Sequence, residues 1–207
     1  VLADGPHQGG DGGGVVGPVH QDDLYAVVNQ VAEMPGVDPG NIGLATSSGG
    51  VIMATGALAR HQDLQDRVRY LYDIEGPTNR VNLTRPFRIR PELRRTRREP
   101  MAHGPLDEDY WRPREAVRFI GWIRTPYFRA QAEIDHMQLR FYDHAIELLN
   151  GATSSSWTRC NDNPPNIRYD PLHPERYRWI PGRCRDNGPL LLKYLLEVAH
   201  TTLNGAP

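Results

Sequence analysis

The sequence contains no long hydrophobic run, no excess of charge of either sign and only two cysteines. No apolar stretch approaches the roughly 18 residues that a membrane-spanning helix needs. The 24 Lys and Arg residues nearly balance the 25 Asp and Glu residues, so no overall field favours nucleic acid or an anionic membrane as a partner. No secretory signal is visible either. The composition therefore predicts a globular protein that acts on neither nucleic acid nor membrane.

Cysteine is scarce, and its two positions allow two interpretations. Cys160 and Cys184 both lie in the last third of the chain, and no CxxC pair is present, which argues against a four-thiolate zinc site. They are either two separate free thiols or one disulfide, which would be worth about 3 kcal/mol on the loop-entropy model. We predict the disulfide, because Cys160 ends a predicted strand and Cys184 precedes the last predicted helix.

Two features of the sequence bear on where the protein is located. The triplet Asn82-Leu83-Thr84 matches the acceptor pattern for N-linked glycans, although such triplets are common by chance. Together with the predicted disulfide, it favours an exported protein, secreted or otherwise extracytoplasmic.

Hydrophobic periodicity divides the chain into alternating helices and strands. Residues 1–20 read as a loop rich in glycine, a residue that loses much backbone entropy on ordering. Beyond them, the pattern predicts helices at 21–36, 49–60, 138–150 and 188–203, and strands at 42–45, 67–74, 126–134 and 154–160. This alternation predicts an α/β fold with a mostly parallel, doubly wound sheet, in one domain that spans residues 1–207.

Residues 76–118 interrupt this alternation. The segment carries eight arginines between positions 80 and 98, and six prolines. A basic cluster of this kind can bind nucleic acid, but it lacks interleaved aromatic side chains, and the acids of "PLDEDYW" follow it. We therefore interpret the segment as a solvated lid or insertion between two strands of the sheet.

The stretch "NIGLATSSGGVIMATGALARH", residues 41–61, is the most informative part of the chain. A short apolar strand meets a helix through a knot of small residues, Thr46-Ser47-Ser48-Gly49-Gly50. The glycines could simply make a tight turn around a serine without function. Alternatively, the knot is a nucleophile elbow, in which a strained strand-to-helix turn exposes a serine and needs small residues two positions away. The frame Ala45-x-Ser47-x-Gly49 fits this pattern.

With these residues the chain resembles the α/β-hydrolase family, most closely its secreted esterase, dienelactone-hydrolase-like and prolyl-oligopeptidase-like branches. The resemblance covers nearly the whole chain and implies the order Ser, Asp, His. It implies Ser47 as the nucleophile, Asp135 as the acid after a strand, and His173 as the base in the long loop before the last helix. The backbone N–H of Ser48 would supply half of the oxyanion hole, and no cofactor would be needed.

Several other residues compete for these roles. Asp73, which ends the preceding strand, is the alternative acid. The remaining histidines fit the role of base less well, because they lie in the closing helix, next to the acid, in another helix or in the lid: His200, His136, His144 and His103. A metal site near the elbow is conceivable from three further residues, but their spacing matches no ordered ligand loop, so we interpret them as solvated: Asp4, His7 and Asp11.

The resemblance begins at Val1, with what looks like the strand that precedes the helix at 21–36. Related proteins have earlier strands, and the loop after one of them supplies the second oxyanion donor. We therefore expect residues 1–4 to pair with a strand of another chain or copy, because an open sheet edge invites pairing. The sequence predicts a serine hydrolase that cleaves a small ester or peptide substrate. A catalytically lapsed scaffold that assembles through its open edge is the alternative.

Overall fold

The computed structural model describes residues 16–84, 103–138 and 142–203. Its strands are β1 (Ile42–Ser47), β2 (Val68–Ile74), β3 (Tyr127–Ala130) and β4 (Thr158–Cys160). Its α-helices, in chain order, are α1 (Pro18–Ala32), α2 (Gly50–Arg60), α3 (Leu64–Arg67), α4 (Arg80–Thr84), α5 (Glu108–Trp111), α6 (Ala116–Phe119), α7 (Asp143–Gly151) and α8 (Gly188–Leu203). No described helix is long and apolar enough to cross a membrane.

The four strands form one parallel sheet in the order β1-β2-β3-β4. Parallel strands need crossover connections, and α2 with α3 supplies the connection from β1 to β2. The register pairs Ser47 with Ile74, and Ile74 with Ala130. The ends of β1, β2 and β3 therefore meet at one edge of the sheet. The prediction of a parallel α/β fold is confirmed.

Each face of the sheet has its own apolar cluster, because successive side chains of a strand point to opposite faces. Leu71 packs with the cluster that contains residues of α1, α2 and α7. Its neighbour Tyr72 packs with the cluster that contains Tyr194 and Val198 of α8. The sheet thus has helices on both faces, as a doubly wound sheet requires.

One glycine allows β1 and β2 to pair closely. A Cβ atom at Gly43 would lie 2.1 Å from the ring of Tyr70, far inside van der Waals contact. The phenol of Tyr70 therefore covers the backbone of β1 at a position where only glycine fits.

The observed boundaries differ from the predicted ones mainly after β3. The predicted strand 126–134 ends at Ala130, although an isolated bridge between Ala132 and Ile180 continues the pairing. The predicted helix 138–150 begins only at Asp143. The polar residues between these elements form a loop instead, and that loop contributes to the candidate site.

The predicted disulfide is wrong. Cys160 and Cys184 are both buried free thiols. Cys160 lies in the cluster on the α7 face of the sheet, whereas Cys184 packs with Tyr72 and Tyr194 in the cluster on the α8 face. The two thiols therefore belong to separate cores.

The acceptor of the glycan triplet, Asn82, is only 2% exposed. Export therefore stays a prediction that neither the triplet nor the cysteines support.

The two described parts of the insertion, residues 76–84 and 103–118, are joined by a charged cluster. Arg80 donates to both carboxylate oxygens of Glu115 at 2.9 Å and to Glu108 at 2.6 Å. Arg118 contacts the same two glutamates. The arginine at the start of the insertion is therefore buried and paired, not solvated as the sequence suggests. Residues 85–102, with the other seven arginines of the cluster, lie outside the described residues.

Replacing Glu115 by Gln tests this cluster. We expect E115Q to lower the free energy of unfolding at pH 7 by about 3 kcal/mol, because Arg80 would remain buried beside a neutral side chain. Burial raises the pKa of Glu115, but Arg80 and Arg118 outweigh burial and bring the pKa below the ordinary 4.5. The unfolded state therefore binds the proton more tightly, and the stabilisation disappears as the pH falls through the folded-state pKa.

The measurement is urea unfolding of both proteins from pH 7 to pH 3, with the exposed Glu33→Gln as the control. The difference between wild type and E115Q should shrink below about pH 4.5, and E33Q should follow the wild type throughout. A difference that is the same at every pH would contradict the role of the Glu115 charge.

Candidate active site

The turn between β1 and α2 has a left-handed residue at its centre. Ser47 is the last residue of β1, Ser48 has a φ of 53°, and α2 begins at Gly50. A positive φ is uncommon for residues other than glycine, and it marks local strain that functional sites often retain. This is the backbone geometry expected for the nucleophile of a strand-to-helix elbow.

The close approach across this turn also centres on Ser48. A Cβ atom at Gly50 would lie 3.2 Å from the Cβ of Thr46. These two residues flank Ser48 by two positions on either side, which is where an elbow demands small side chains. The structure therefore favours the frame Thr46-x-Ser48-x-Gly50 over the frame centred on Ser47. Ser47 is exposed but has the extended conformation of a strand residue.

The backbone N–H of Ser48 is not available as an oxyanion donor. It donates to the carbonyl oxygen of Ile74 at 3.0 Å, which extends the pairing of β1 with β2 by one residue. The prediction of Ser48 as oxyanion donor is therefore corrected. The next N–H along the chain, that of Gly49, has no acceptor among the described groups.

Asp135 organises the loop that follows β3. It is 2% exposed. Its Oδ1 accepts from the backbone N–H groups of Met137 and Gln138 at 2.7 and 2.8 Å, and its Oδ2 accepts from Gln131 at 3.0 Å. Burial raises the pKa of Asp135, but the hydrogen bond and charge of His144, with the charge of His136, hold it well below its usual range. Asp135 is therefore a buried carboxylate.

Two histidines contact this carboxylate, and neither is His173. Nε2 of His144 lies 3.2 Å from Oδ2 of Asp135, and Nδ1 of His136 lies 3.7 Å from Oδ1. His144 is 1% exposed. The side chain of His136 is 37% exposed. Each ring has one buried nitrogen without a hydrogen-bond partner among the described groups, Nδ1 of His144 and Nε2 of His136.

The other predicted histidines lie elsewhere. His173 is nearly half exposed and pairs with Glu175 at 3.1 Å on the same turn. His103 pairs with Asp107 at 2.8 Å. His200 lines a groove of about 810 Å³ along the outer face of α8, together with Leu192 and Leu196. The structure thus gives His173 a carboxylate partner other than Asp135.

A carboxylate that the sequence reading missed completes the group. Glu75 follows β2 directly, has a φ of 52° and is 4% exposed. Its Oε2 lies 3.0 Å from Nδ1 of His136 and accepts from the backbone N–H of the same residue at 3.3 Å. The sequence does contain a signal for Glu75, because an acid directly after a strand is the criterion that selects Asp135. At the end of the second strand, however, the acid named from the sequence is Asp73 instead of Glu75.

Ser48 adjoins this group through two contacts. Its hydroxyl lies 3.3 Å from Sδ of Met137, the neighbour of His136, and its N–H bonds to Ile74, the neighbour of Glu75. A hydroxyl at a strained turn, a partly exposed imidazole and two buried carboxylates therefore meet at the carboxyl ends of β1, β2 and β3. Open α/β sheets place their sites at this edge.

The loop before α8 brings a cysteine to the same place. Its backbone bonds to the loop after β3 through Ile180 and Gly182. Cys184 follows and is buried, and burial, then the charge of Glu75, raise the pKa of its thiol. The element that we expected to deliver a histidine thus places a thiol beside the carboxylates.

Asp73, the alternative acid, is a structural residue. Its Oδ2 accepts from Arg129 at 2.6 Å and from the hydroxyl of Tyr127 at 2.9 Å, and the Asp73–Arg129 pair is fully buried. Arg129 donates further to the carbonyl of Gly76 and to Gln131. The pair ties β2 to β3 below the edge where the site lies.

The remaining candidate residues near the elbow lie outside the described residues: Asp4, His7 and Asp11. The same holds for residues 1–4, for which we expect pairing with another chain or copy.

No protein-family model matches the sequence, and no curated protein matches it significantly. Solved structures do match. A puromycin hydrolase has a TM-score of 0.56 at 14% identity, over 90% of this chain and 25% of its own. A dipeptidyl aminopeptidase IV from Bacteroides ovatus has a TM-score of 0.52 at 11% identity, over 88% of this chain and 22% of its own. An acylaminoacyl peptidase from Pyrococcus horikoshii has a TM-score of 0.51 at 15% identity, over 70% and 23%.

These matches define the class of fold. The described part of the chain has an α/β-hydrolase fold, with a parallel sheet and a strand-to-helix elbow. At 11–15% identity, the matched structures show the fold alone. The chain spans a quarter or less of the length of each. The predicted resemblance to the α/β-hydrolase fold is confirmed at the level of the fold.

Replacing Asp73 by Asn separates its role from that of a catalytic acid. We expect D73N to lower the free energy of unfolding by about 3–5 kcal/mol, because a fully buried arginine would lose its carboxylate. The control is Asp66→Asn, whose 77% exposed side chain pairs with Arg124 at the surface, with an expected change below about 1 kcal/mol. Denaturant unfolding measures both. If D73N were as stable as the wild type, the assignment of Asp73 as a structural residue would fail.

Proposed function

We propose that this chain carries the catalytic site of a serine hydrolase that cleaves an amide or ester bond, with Ser48 as the nucleophile. The observation that carries the proposal is the left-handed backbone of Ser48 at the turn from β1 to α2. A strained conformation of this kind persists only where the surrounding structure holds it, and it concentrates at functional sites. The α/β-hydrolase fold supports the same interpretation.

His136 is the base that the contacts favour. Its Nδ1 faces Glu75 at 3.0 Å, which would fix the tautomer with the proton on Nδ1 and leave Nε2 as the acceptor. Nε2 has no other partner among the described groups. The ring of His136 is partly exposed although Nε2 itself is buried, whereas His144 is fully enclosed and holds Asp135 in place. Asp135 in turn fixes the loop that carries His136.

In the proposed reaction, Oγ of Ser48 forms a bond to the carbonyl carbon of the substrate as its proton passes to Nε2 of His136. The negative charge that develops on the carbonyl oxygen would be met by the N–H of Gly49, the residue after the nucleophile. The imidazolium, stabilised by Glu75, then returns the proton to the departing amine or alcohol. Water completes the cycle by cleaving the acyl-enzyme.

The proposed substrates are small peptides or amides. The matched structures are named as peptidases or as a puromycin hydrolase, which favours an amide over a simple ester. Suitable probes are an aminoacyl p-nitroanilide and p-nitrophenyl acetate.

The two adjacent serines offer a matched pair of variants for the nucleophile. We expect a fluorophosphonate probe to label the wild type and Ser47→Ala, and labelling to disappear in Ser48→Ala, because only Ser48 has the elbow geometry. Intact-mass and peptide mass spectrometry measure the modification. Labelling that survives in S48A and disappears in S47A would restore Ser47 as the nucleophile.

The base assignment has its own test. We expect His136→Gln to slow labelling by about 10²-fold or more, because the probe also requires removal of the serine proton. His173→Gln should label within about twofold of the wild type, since its ring pairs with Glu175 at an exposed turn, where loss of the pair costs little. Slow labelling in H173Q alone would return the role to His173.

A catalytically lapsed scaffold is the second candidate, and one observation favours it. The loop before α8 presents Cys184 beside Glu75, where the fold was expected to present the base. Such a protein would act by assembly, and among the described strands the outer edge of β1 has no partner. A folded sample that no fluorophosphonate labels would favour the scaffold. The pairing partner would then be another chain or a second copy.

A further inference from the structure

Three metal-ligating side chains converge beside the elbow. Glu75 follows β2, and Asp135 and His136 lie in the loop after β3, so adjacent strands deliver them to one place. One ligand atom from each lies within 4.8 Å of the other two. Nδ1 of His136 lies 3.0 Å from Oε2 of Glu75 and 3.7 Å from Oδ1 of Asp135, separations that one zinc-sized ion can span because its oxygen and nitrogen ligands each lie about 2.0–2.2 Å from the metal.

The hydrogen bonds of the group leave one ligand position open. Both oxygens of Asp135 already have partners, the N–H groups of Met137 and Gln138 at Oδ1 and the side chains of Gln131 and His144 at Oδ2, so an ion that binds Asp135 replaces one of these contacts. Glu75 differs, since Oε1 has no nitrogen or oxygen donor among the described groups although the residue is only 4% exposed. The thiol of Cys184 lies beside Glu75, but a thiol is only a weak donor. A buried carboxylate oxygen without a strong donor is costly, and a cation would satisfy it.

The charges point the same way. Two buried carboxylates face one imidazole, so the group carries a net negative charge unless a cation enters. The basic side chains that touch it or approach it from other elements are His144 on α7 and Arg129 on β3, and Arg129 is paired with Asp73. The thiol of Cys184 also lies beside Glu75 and adds no positive charge.

The donor set selects the kind of ion. One imidazole nitrogen with two carboxylate oxygens suits zinc or a similar first-row transition metal, whereas magnesium and calcium prefer oxygen donors alone. Backbone and side-chain donors already hold the oxygens of Asp135 in a fixed orientation, as is usual for carboxylate ligands of a metal. The partly exposed face of His136 provides the path of entry.

We propose that Glu75, Asp135 and His136 bind one divalent transition-metal ion of the zinc class. In the bound form, Nδ1 of His136 and the carboxylates of Glu75 and Asp135 hold the ion, and it replaces the direct contact between His136 and Glu75. Binding does not depend on the proposed hydrolase activity, because it uses only the arrangement of these three side chains. A protein without any hydrolase activity could therefore still bind the ion.

Isothermal titration of the chelator-treated full chain with zinc chloride tests the proposal. We expect one equivalent to bind with a dissociation constant of micromolar or below, and a melting temperature that rises with the concentration of zinc. Glu75→Gln and His136→Gln should each weaken binding by at least about tenfold. The matched control is the exposed pair of His173 and Glu175, 3.1 Å apart, so H173Q and E175Q should bind zinc as the wild type does.

Cobalt absorption of the wild type keeps the test decisive if a variant does not fold. Co²⁺ bound at a site with one imidazole and two carboxylates should give visible d–d bands that one equivalent of zinc removes. The proposal is overturned if the folded wild type binds neither ion at about 100 µM, the weak-affinity range of protein metal sites. It is equally overturned if folded E75Q and H136Q bind zinc as tightly as the wild type.

Discussion

The buried carboxylate of Asp135 is the constraint on which the candidate site depends. It accepts hydrogen bonds from the loop that follows it, from Gln131 before it and from His144 on α7. These bonds turn the chain back over the edge of the sheet directly after β3. The turn places His136 against Glu75 and Met137 against Ser48. A buried charge of this kind is tolerated only with a full set of partners, and here each partner fixes a different element.

The sheet register supplies the other half of the arrangement. Because Ser47 pairs with Ile74, and Ile74 with Ala130, the first residues after three strands become neighbours at one edge. Ser48, Glu75 and the loop after β3 all begin there. The pair of Asp73 and Arg129 lies one layer below and holds β2 to β3. Structural charges thus occupy the interior of the sheet, and the candidate chemical groups occupy its rim.

Much of this could be predicted from the sequence. The strands are short apolar runs between helices, a pattern that specifies a parallel sheet, and Asp135 was singled out from its place after a strand. The serine was ambiguous because two overlapping frames fit the small-residue knot, and only the backbone angle of Ser48 separates them. Glu75 and His136 could not be paired, because their contact arises from the register of two strands. The disulfide failed because strand alternation sends Cys160 to one face of the sheet, while Cys184 packs on the other.

The pair of Arg80 and Glu115 has a consequence for how this chain can change over evolutionary time. It closes the insertion at its base, since Arg80 lies near the start and Glu115 near the end. The free-energy cost of lengthening a closed loop is small, about 0.6 kcal/mol for each doubling. Leu83, Tyr110 and Trp111 lie between the two residues and belong to the core, so the insertion can vary in length at low cost only where these three side chains are kept.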